Sequence, residues 1–283
     1  MKTVVTAAEL SAEISTAKAA GKKIAFVPTM GALHDGHLSL VQLAKSNNTF
    51  VVVSIFVNPL QFGPNEDFEK YPRDLAADAS LLESAGANLL FTPTVEVIYP
   101  NGPSETPQKS AGHLGTMLEG KSRPGHFDGM LTVVARLFDL VQPDLAIFGA
   151  KDAQQVALIK RMVTSDYPDL KIIEAPIVRE RSGLALSSRN RYLDQEQTKI
   201  AQVLSASLRA AAMAAESGAP ASAVLESATT ELARVPEAKL DYIALVDAET
   251  FEPLGEDFSG RAKLLIAARV GETRLIDNTD LNF

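Results

Sequence analysis

Two of the chain's four histidines fall within one tetrapeptide, His34-Asp35-Gly36-His37. It closes the run Met30, Gly31, Ala32, Leu33, His34, Asp35, Gly36, His37, which follows a short apolar stretch at 24–27. An amphipathic segment begins where that run ends, so the histidines sit at a helix start, three residues apart and facing one bound group. A helix N-terminus offers unpaired N–H groups and a partial positive charge, which suit a phosphate. Gly36 lets a ligand approach the backbone closely. A metal pair is the alternative chemistry, but two His do not fill a zinc site and no third ligand stands at a recognisable spacing. A second cluster, Gly183 to Arg191, holds Ser187, Ser188, Arg189 and Arg191. Planar guanidinium forks beside short hydroxyl donors make a polyphosphate clamp. Alone, such a loop reads as solvated surface; beside the histidine loop it reads as the second half of a nucleotide site.

Residues that converge on a ligand need a scaffold. Short runs rich in Val, Ile, Leu and Phe at 24–27, 50–57, 88–91, 144–148 and 170–174 read as buried strands. Amphipathic segments at 37–45, 73–85, 130–141 and 152–163 alternate with them, and a helix at 7–20 precedes the first strand. This alternation predicts an α/β fold, a Rossmann-like doubly wound parallel sheet, over residues 1–175. In such sheets ligands bind beyond the carboxyl ends of the strands, where the histidine loop lies. Residues 176–283 predict a smaller α+β domain that covers the active site. Its helices are expected at 195–216 and 221–235 and its strands at 240–246, 263–270 and 273–277, the last two joined by Gly271-Glu272. The stretch 101–110, with Gly, Pro and Ser, is expected to be a mobile surface loop.

Composition narrows the class. The chain has 283 residues, 46% of them hydrophobic and 22% charged, which is globular usage for one or two domains. Zero cysteines remove disulfides, thiolate metal sites and a Cys nucleophile. A formal net charge of −8 disfavours a nucleic-acid partner. The N-terminus lacks a signal-peptide pattern, and the apolar run at 50–57, interrupted by Ser54, is far below the ~20 residues that cross a bilayer. A soluble cytoplasmic protein with small-molecule substrates is expected.

The H-x-G-H run and the Ser/Arg loop, one early and one late, resemble the HIGH and KMSKS pair of the class I aminoacyl-tRNA synthetase superfamily. More specifically, PTMGALHDGH, FVNPLQFGPNEDFEKYPRD, RPGHFDGMLTVV, FGAKDAQQ, LALSSRNRYL and LLIAARVGETRLIDN, in this order, resemble the pantoate–β-alanine ligase family, the pantothenate synthetases. The resemblance spans about residues 20–280. It implies ATP-dependent condensation of pantoate with β-alanine through a pantoyl adenylate, with AMP and pyrophosphate released, in pantothenate biosynthesis. It further implies Mg²⁺ and a homodimer.

By resemblance, Met30 to His37 line the ATP site, with His34 and His37 on the phosphates and His37 the proton donor. Gly149, Ala150, Lys151, Asp152 and Val178 surround the nucleotide, Lys151 reaching phosphate and Asp152 ribose. Leu186, Ser187, Ser188 and Arg189 close on the triphosphate. Gln61 and Gln155 hold pantoate, Gln61 also lies near β-alanine, and Asn58 supports Gln61 or meets substrate. Tyr71, Arg123 and His126 match positions around the pocket and its flap. Neutral amides orient a carboxylate without quenching its nucleophilicity as a bidentate Arg would. Asp78 is a further expected contributor to Mg²⁺. The chain departs from the family's GEKDYQQ at Ala150 and Ala153, and carries Leu186 where Met is usual. Three other classes fit parts of the pattern: another nucleotidylyl transferase, a tRNA-charging enzyme, and a nucleotide sensor that binds ATP without turnover. The Gln pair, the acidic charge with no room for a tRNA-binding domain, and turnover itself separate these.

Overall fold

The computed structural model describes residues 1–46, 48–64, 66, 68–255 and 258–283. Asn65 and Asp67 of the FVNPLQFGPNEDFEKYPRD motif lie outside the described residues. The chain divides into two compact units, Met1–Ala150 with Gln154–Pro176, and Lys151–Ala153 with Ile177–Phe283. Lys151 and Asp152, expected in the first domain, therefore belong to the second unit.

In the first unit, six strands among the described residues form one sheet, β1 (Lys2–Val4), β2 (Lys23–Thr29), β3 (Thr49–Ile55), β4 (Leu89–Phe91), β5 (Leu145–Gly149) and β6 (Lys171–Ala175). All pair in parallel, in the order β1-β4-β3-β2-β5-β6. The chain moves outward from β2 to β3 and β4, then returns to the other side of β2 for β5 and β6. That reversal places a topological switch point at β2 and β5. β3 reads as a nearly unbroken apolar run because both its faces are covered. Ala25, Val27, Val51, Val53 and Leu90 bury one face against Leu40, Val41 and Ala44 of α2 (Asp35–Ala44) and Leu82 and Ala85 of α3 (Leu75–Ala85). Phe26 points to the other face and meets Phe138 of α6 (His126–Val141) edge-on, near α1 (Ala7–Ala19). The pleat's period of two sets this division.

Between β4 and β5 the chain also forms α4 (Val95–Ile98), α5 (Glu119–Ser122) and two 3₁₀ turns. The stretch 101–110 carries the 3₁₀ turn Pro103–Glu105 and is tied to α6, because Lys109 N–H donates to Thr132 Oγ1 at 2.9 Å. Helix α7 (Ala153–Asp166) leads from β5 to β6. The edge strand β1 carries no periodic signal, since only Val4 of its three residues is buried. Its pairing with β4 alone defines it.

The second unit packs α8 (Gln195–Glu216) and α9 (Ala221–Ala233) with the antiparallel sheet β7 (Ala238–Asp247), β8 (Arg261–Val270) and β9 (Thr273–Asn282). Leu204, Leu208, Val224, Leu264 and Ile266 lie in its core. Asp194 caps α8 by accepting the Gln197 N–H at 2.8 Å, while the Gln197 side chain accepts the Asp194 N–H. Gly271, with φ of +55°, makes the two-residue turn between β8 and β9.

Candidate active site

The histidine loop leaves β2 at the switch point. Thr29 Oγ1 donates to Ser54 O at 2.8 Å and accepts from Gly31 N–H at 3.3 Å, starting a sharp turn with Gly31 at φ +84° and Ala32 at φ +52°. Ala32 is a residue type that left-handed backbone disfavours. Asp78 on α3 holds it there. Its buried carboxylate accepts the Ala32 N–H at 2.9 Å and the Leu33 N–H at 2.8 Å, one on each oxygen. Asp78 is thus a brace for the loop, each of its oxygens accepting one backbone amide.

His34 caps α2. Its Nδ1 accepts the Gly36 N–H at 3.2 Å, and the Nδ1 of His37 accepts the His34 N–H at 3.4 Å. A backbone N–H only donates, so both Nδ1 atoms are acceptors and each neutral ring carries its proton on Nε2. The rings lie 4.1 Å apart, tilted by 38°. Each ring thus carries an Nε2–H donor at the start of α2, chemistry that suits an anion.

The amide side of the site follows β3. Asn58 opens the 3₁₀ turn Pro59–Gln61 by accepting the Leu60 N–H at 3.2 Å. Its Nδ2 donates to Gln61 Oε1 at 3.2 Å and to Gly129 O at 3.1 Å on α6. Both amides are buried. Gln61 Nε2 rests against Met30 Sδ at 3.1 Å, which joins the amide side to the histidine loop. The main chain of Gln61 is held separately. His126 Nδ1 meets Gln61 O at 2.8 Å, and a carbonyl only accepts, so Nδ1 carries the proton. His126 Nε2 then accepts from Arg123 Nη1 at 3.0 Å, and Arg123 is forked onto Glu66 at 2.7 and 2.6 Å. Gly129 is required here. A Cβ on it would lie 2.1 Å from Leu60 O.

Gln155, half-buried near the start of α7, makes no side-chain hydrogen bond among the described residues. Its neighbour Gln154 is buried and does local work that sequence reading missed. It donates to Leu114 O and Met117 O and accepts the Glu119 N–H, holding a loop in which Leu118 has φ of +49°. Tyr71 is buried against Phe62, which also packs on Phe68. Gly149 ends β5, Ala150 begins the turn after it, and Ala153 is buried at the start of α7.

The other expected nucleotide residues belong to the second unit. Leu186 N–H donates to Val178 O at 2.9 Å, bringing those two together. Ser187 caps a 3₁₀ turn, Ser188–Tyr192, by accepting the Arg189 N–H at 3.3 Å. The Ser/Arg loop thus carries a capped turn. Lys151 O accepts from Asn278 Nδ2 at 2.9 Å, and Lys151 Nζ lies 4.0 Å from the exposed Asp152. Asp277, beside Asn278 and nearly fully buried, forks onto Arg179 at 2.5 and 2.9 Å. Sequence reading named neither Asn278 nor Asp277, although both stand in the closing RLIDN motif. Among the described residues, no group of three His, Asp or Glu side chains is placed to hold a metal. Nor is any helix there long and apolar enough to cross a membrane.

Similarity to known proteins extends over nearly the whole chain. The family model for pantoate-beta-alanine ligase matches residues 2–280. A pantothenate synthetase of Acidothermus cellulolyticus is 53% identical over 258 residues, covering 90% of this chain and 84% of that one. One of Sphingopyxis alaskensis is 51% identical over 96% of each chain. The crystal structure of pantothenate synthetase from Thermus thermophilus superposes with a TM-score of 0.92 at 48% identity, covering 99% of both chains. A pantoate-beta-alanine ligase from Francisella tularensis, complexed with beta-gamma ATP and beta-alanine, superposes at 0.78 with 37% identity, covering 99% of this chain and 97% of that one.

Proposed function

The chain belongs to the pantoate–β-alanine ligase family, and we propose that the donors at the start of α2 and the amide of Gln61 are the two halves of its reaction centre. The enzyme is an amide-forming ligase that condenses pantoate with β-alanine to pantothenate, with ATP as co-substrate. In the proposed sequence, a pantoate carboxylate oxygen attacks the α-phosphorus of ATP and pyrophosphate leaves. The β-alanine amine then attacks the acyl carbon of the adenylate and AMP leaves. No enzyme nucleophile is needed, so the work is positioning and charge stabilisation.

His34 and His37 direct Nε2–H groups at the phosphates, with HDGH taking the place of the HIGH motif. Lys151, Ser187, Ser188 and Arg189 are assigned to the triphosphate, His37, His34, Lys151 and Arg189 being the catalytic set. Gly149, Ala150, Asp152, Val178 and Leu186 are assigned to the rest of the nucleotide, and Gln61, Gln155 and Asn58 to pantoate. Mg²⁺ would be held mainly by the phosphate oxygens of ATP, as suits a cation that keeps its waters and takes few protein ligands. No residue here is assigned to it. A homodimer in the cytoplasm completes the reading, on the family resemblance.

The observation that carries the proposal is the pairing of the two imidazoles at the start of α2, each with Nδ1 accepting a backbone amide. The test is ATP–pyrophosphate exchange with β-alanine absent. Exchange that requires pantoate supports the adenylate route; ATP binding without pantoate-dependent exchange overturns it.

A further inference from the structure

Nothing above assigns Tyr99, the residue that ends α4, yet its hydroxyl is the far end of the hydrogen-bond chain that reaches Gln61. We propose that Tyr99 is a positioning residue for pantoate: its hydroxyl anchors Asn58, whose Nδ2 in turn sets which atom of the Gln61 amide faces the substrate. The proposal rests on the pantoate-binding role given to Gln61 above.

An amide has two ends that differ only in donor and acceptor character, so its orientation is decided by its neighbours. At Asn58 the neighbours leave one solution. Leu60 N–H only donates, so the atom it meets at 3.2 Å is Oδ1. Gly129 O only accepts, so the atom it meets at 3.1 Å is Nδ2. Tyr99 approaches Oδ1 at 2.7 Å and must therefore donate its hydroxyl proton. Burial pushes the Tyr99 phenol well above its ordinary value, so that proton stays in place at any working pH.

With Asn58 locked, its remaining Nδ2 proton points at Gln61 and selects Oε1, at 3.2 Å. Gln61 is left presenting its NH₂, and the atom it meets is Met30 Sδ. A thioether is a weak acceptor. Exchanging it for a carboxylate or hydroxyl oxygen is favourable, and pantoate has both. The Gln61 amide therefore selects an acceptor oxygen, and it does so because Asn58, anchored by Tyr99, has used its carbonyl end. Tyr99 itself is only 1% exposed, so it acts through Asn58 and does not touch a ligand.

The variant is Tyr99→Phe. The ring keeps its edge contact with Phe56, and Asn58 Oδ1 keeps the Leu60 N–H, so the change removes one hydrogen bond and little packing. The expected result in the exchange assay on the full chain is a roughly three- to tenfold rise in KM for pantoate, with KM for ATP unchanged. In a Gln61→Ala background the same substitution is expected to add nothing further, because the atom it orients is gone. An unchanged KM for pantoate overturns the inference. So does an equal effect in both backgrounds, or a matching rise in KM for ATP, since either marks a general structural role. Wild-type enzyme without pantoate-dependent exchange overturns the proposed function and this inference with it. Wild-type exchange with an indifferent Tyr99→Phe overturns this inference alone.

Discussion

Asp78→Asn separates a loop brace from a metal ligand. The wild-type carboxylate is 4% exposed and accepts two backbone amides, Ala32 at 2.9 Å and Leu33 at 2.8 Å. Asn keeps one acceptor and turns the other atom into an NH₂ that faces an N–H. One hydrogen bond to a charged group is lost, at about 1.5–3 kcal/mol, and a buried donor is left unmatched, at about 1–3 kcal/mol. The two terms share one site and do not simply add, so a loss of about 3 kcal/mol is expected. For a unit of this size that lowers Tm by roughly 6–12 °C. Ala32, at φ +52°, then has less holding it, and the turn that delivers His34 relaxes. Thermal denaturation read beside pantoate-dependent exchange should show both losses, with no change in the Mg²⁺ concentration for half-maximal activity. A Tm within 2 °C of wild type together with a raised Mg²⁺ requirement would refute the brace and restore the metal ligand.

Other perturbations report on other parts of the site. His37→Ala removes one directed donor, and a loss of about 10²–10³ in single-turnover adenylate formation is expected, with Tm nearly unchanged. Gln61→Glu puts an acceptor where the NH₂ stands, so pantoate should bind more weakly than to Gln61→Ala; calorimetric titration ranks the two. Gly129→Ala places a methyl 2.1 Å from Leu60 O, a main-chain atom that cannot rotate away. Chemical denaturation should show a cost of about 2 kcal/mol or more, and KM for pantoate should rise with the displaced Gln61 turn. The Asp166 carboxyl is held below the usual carboxylate range by the Lys109 ammonium and the Ser165 hydroxyl. A depressed folded value means that its contribution is complete above the unfolded value near ~4 and is lost as pH falls through the folded one. The Tm difference between wild type and Asp166→Asn should accordingly persist at neutral pH and shrink in acid. A difference that grows in acid would contradict the sign.

Much of this enzyme is legible residue by residue. The alternation of apolar runs with amphipathic segments predicts β2 to β6 and helices α2, α3, α6 and α7 between them, because covered parallel strands must be apolar on both faces. Helix α8 begins at its expected residue because Asp194 and Gln197 form a cap within four residues of chain. The histidine loop shows itself because two imidazoles and a glycine at a helix start are close in sequence as well as in space. Local chemistry leaves local signals.

What escaped local reading depends on partners far along the chain. β1 is a strand because β4, some ninety residues later, lies beside it. Asp78 braces a loop 46 positions away, Tyr99 anchors an amide 41 positions away, and Asn278 holds the Lys151 carbonyl across 127. Each of these side-chain ties is one or two hydrogen bonds between residue types that occur everywhere, so neither periodicity nor spacing marks it. Residue type and order determined that this chain has a histidine loop at a helix start, a parallel sheet and a family. Only the tertiary structure decided which nitrogen of each histidine carries the proton and which end of Gln61 faces outward. Those choices belong to the neighbours a group meets after folding.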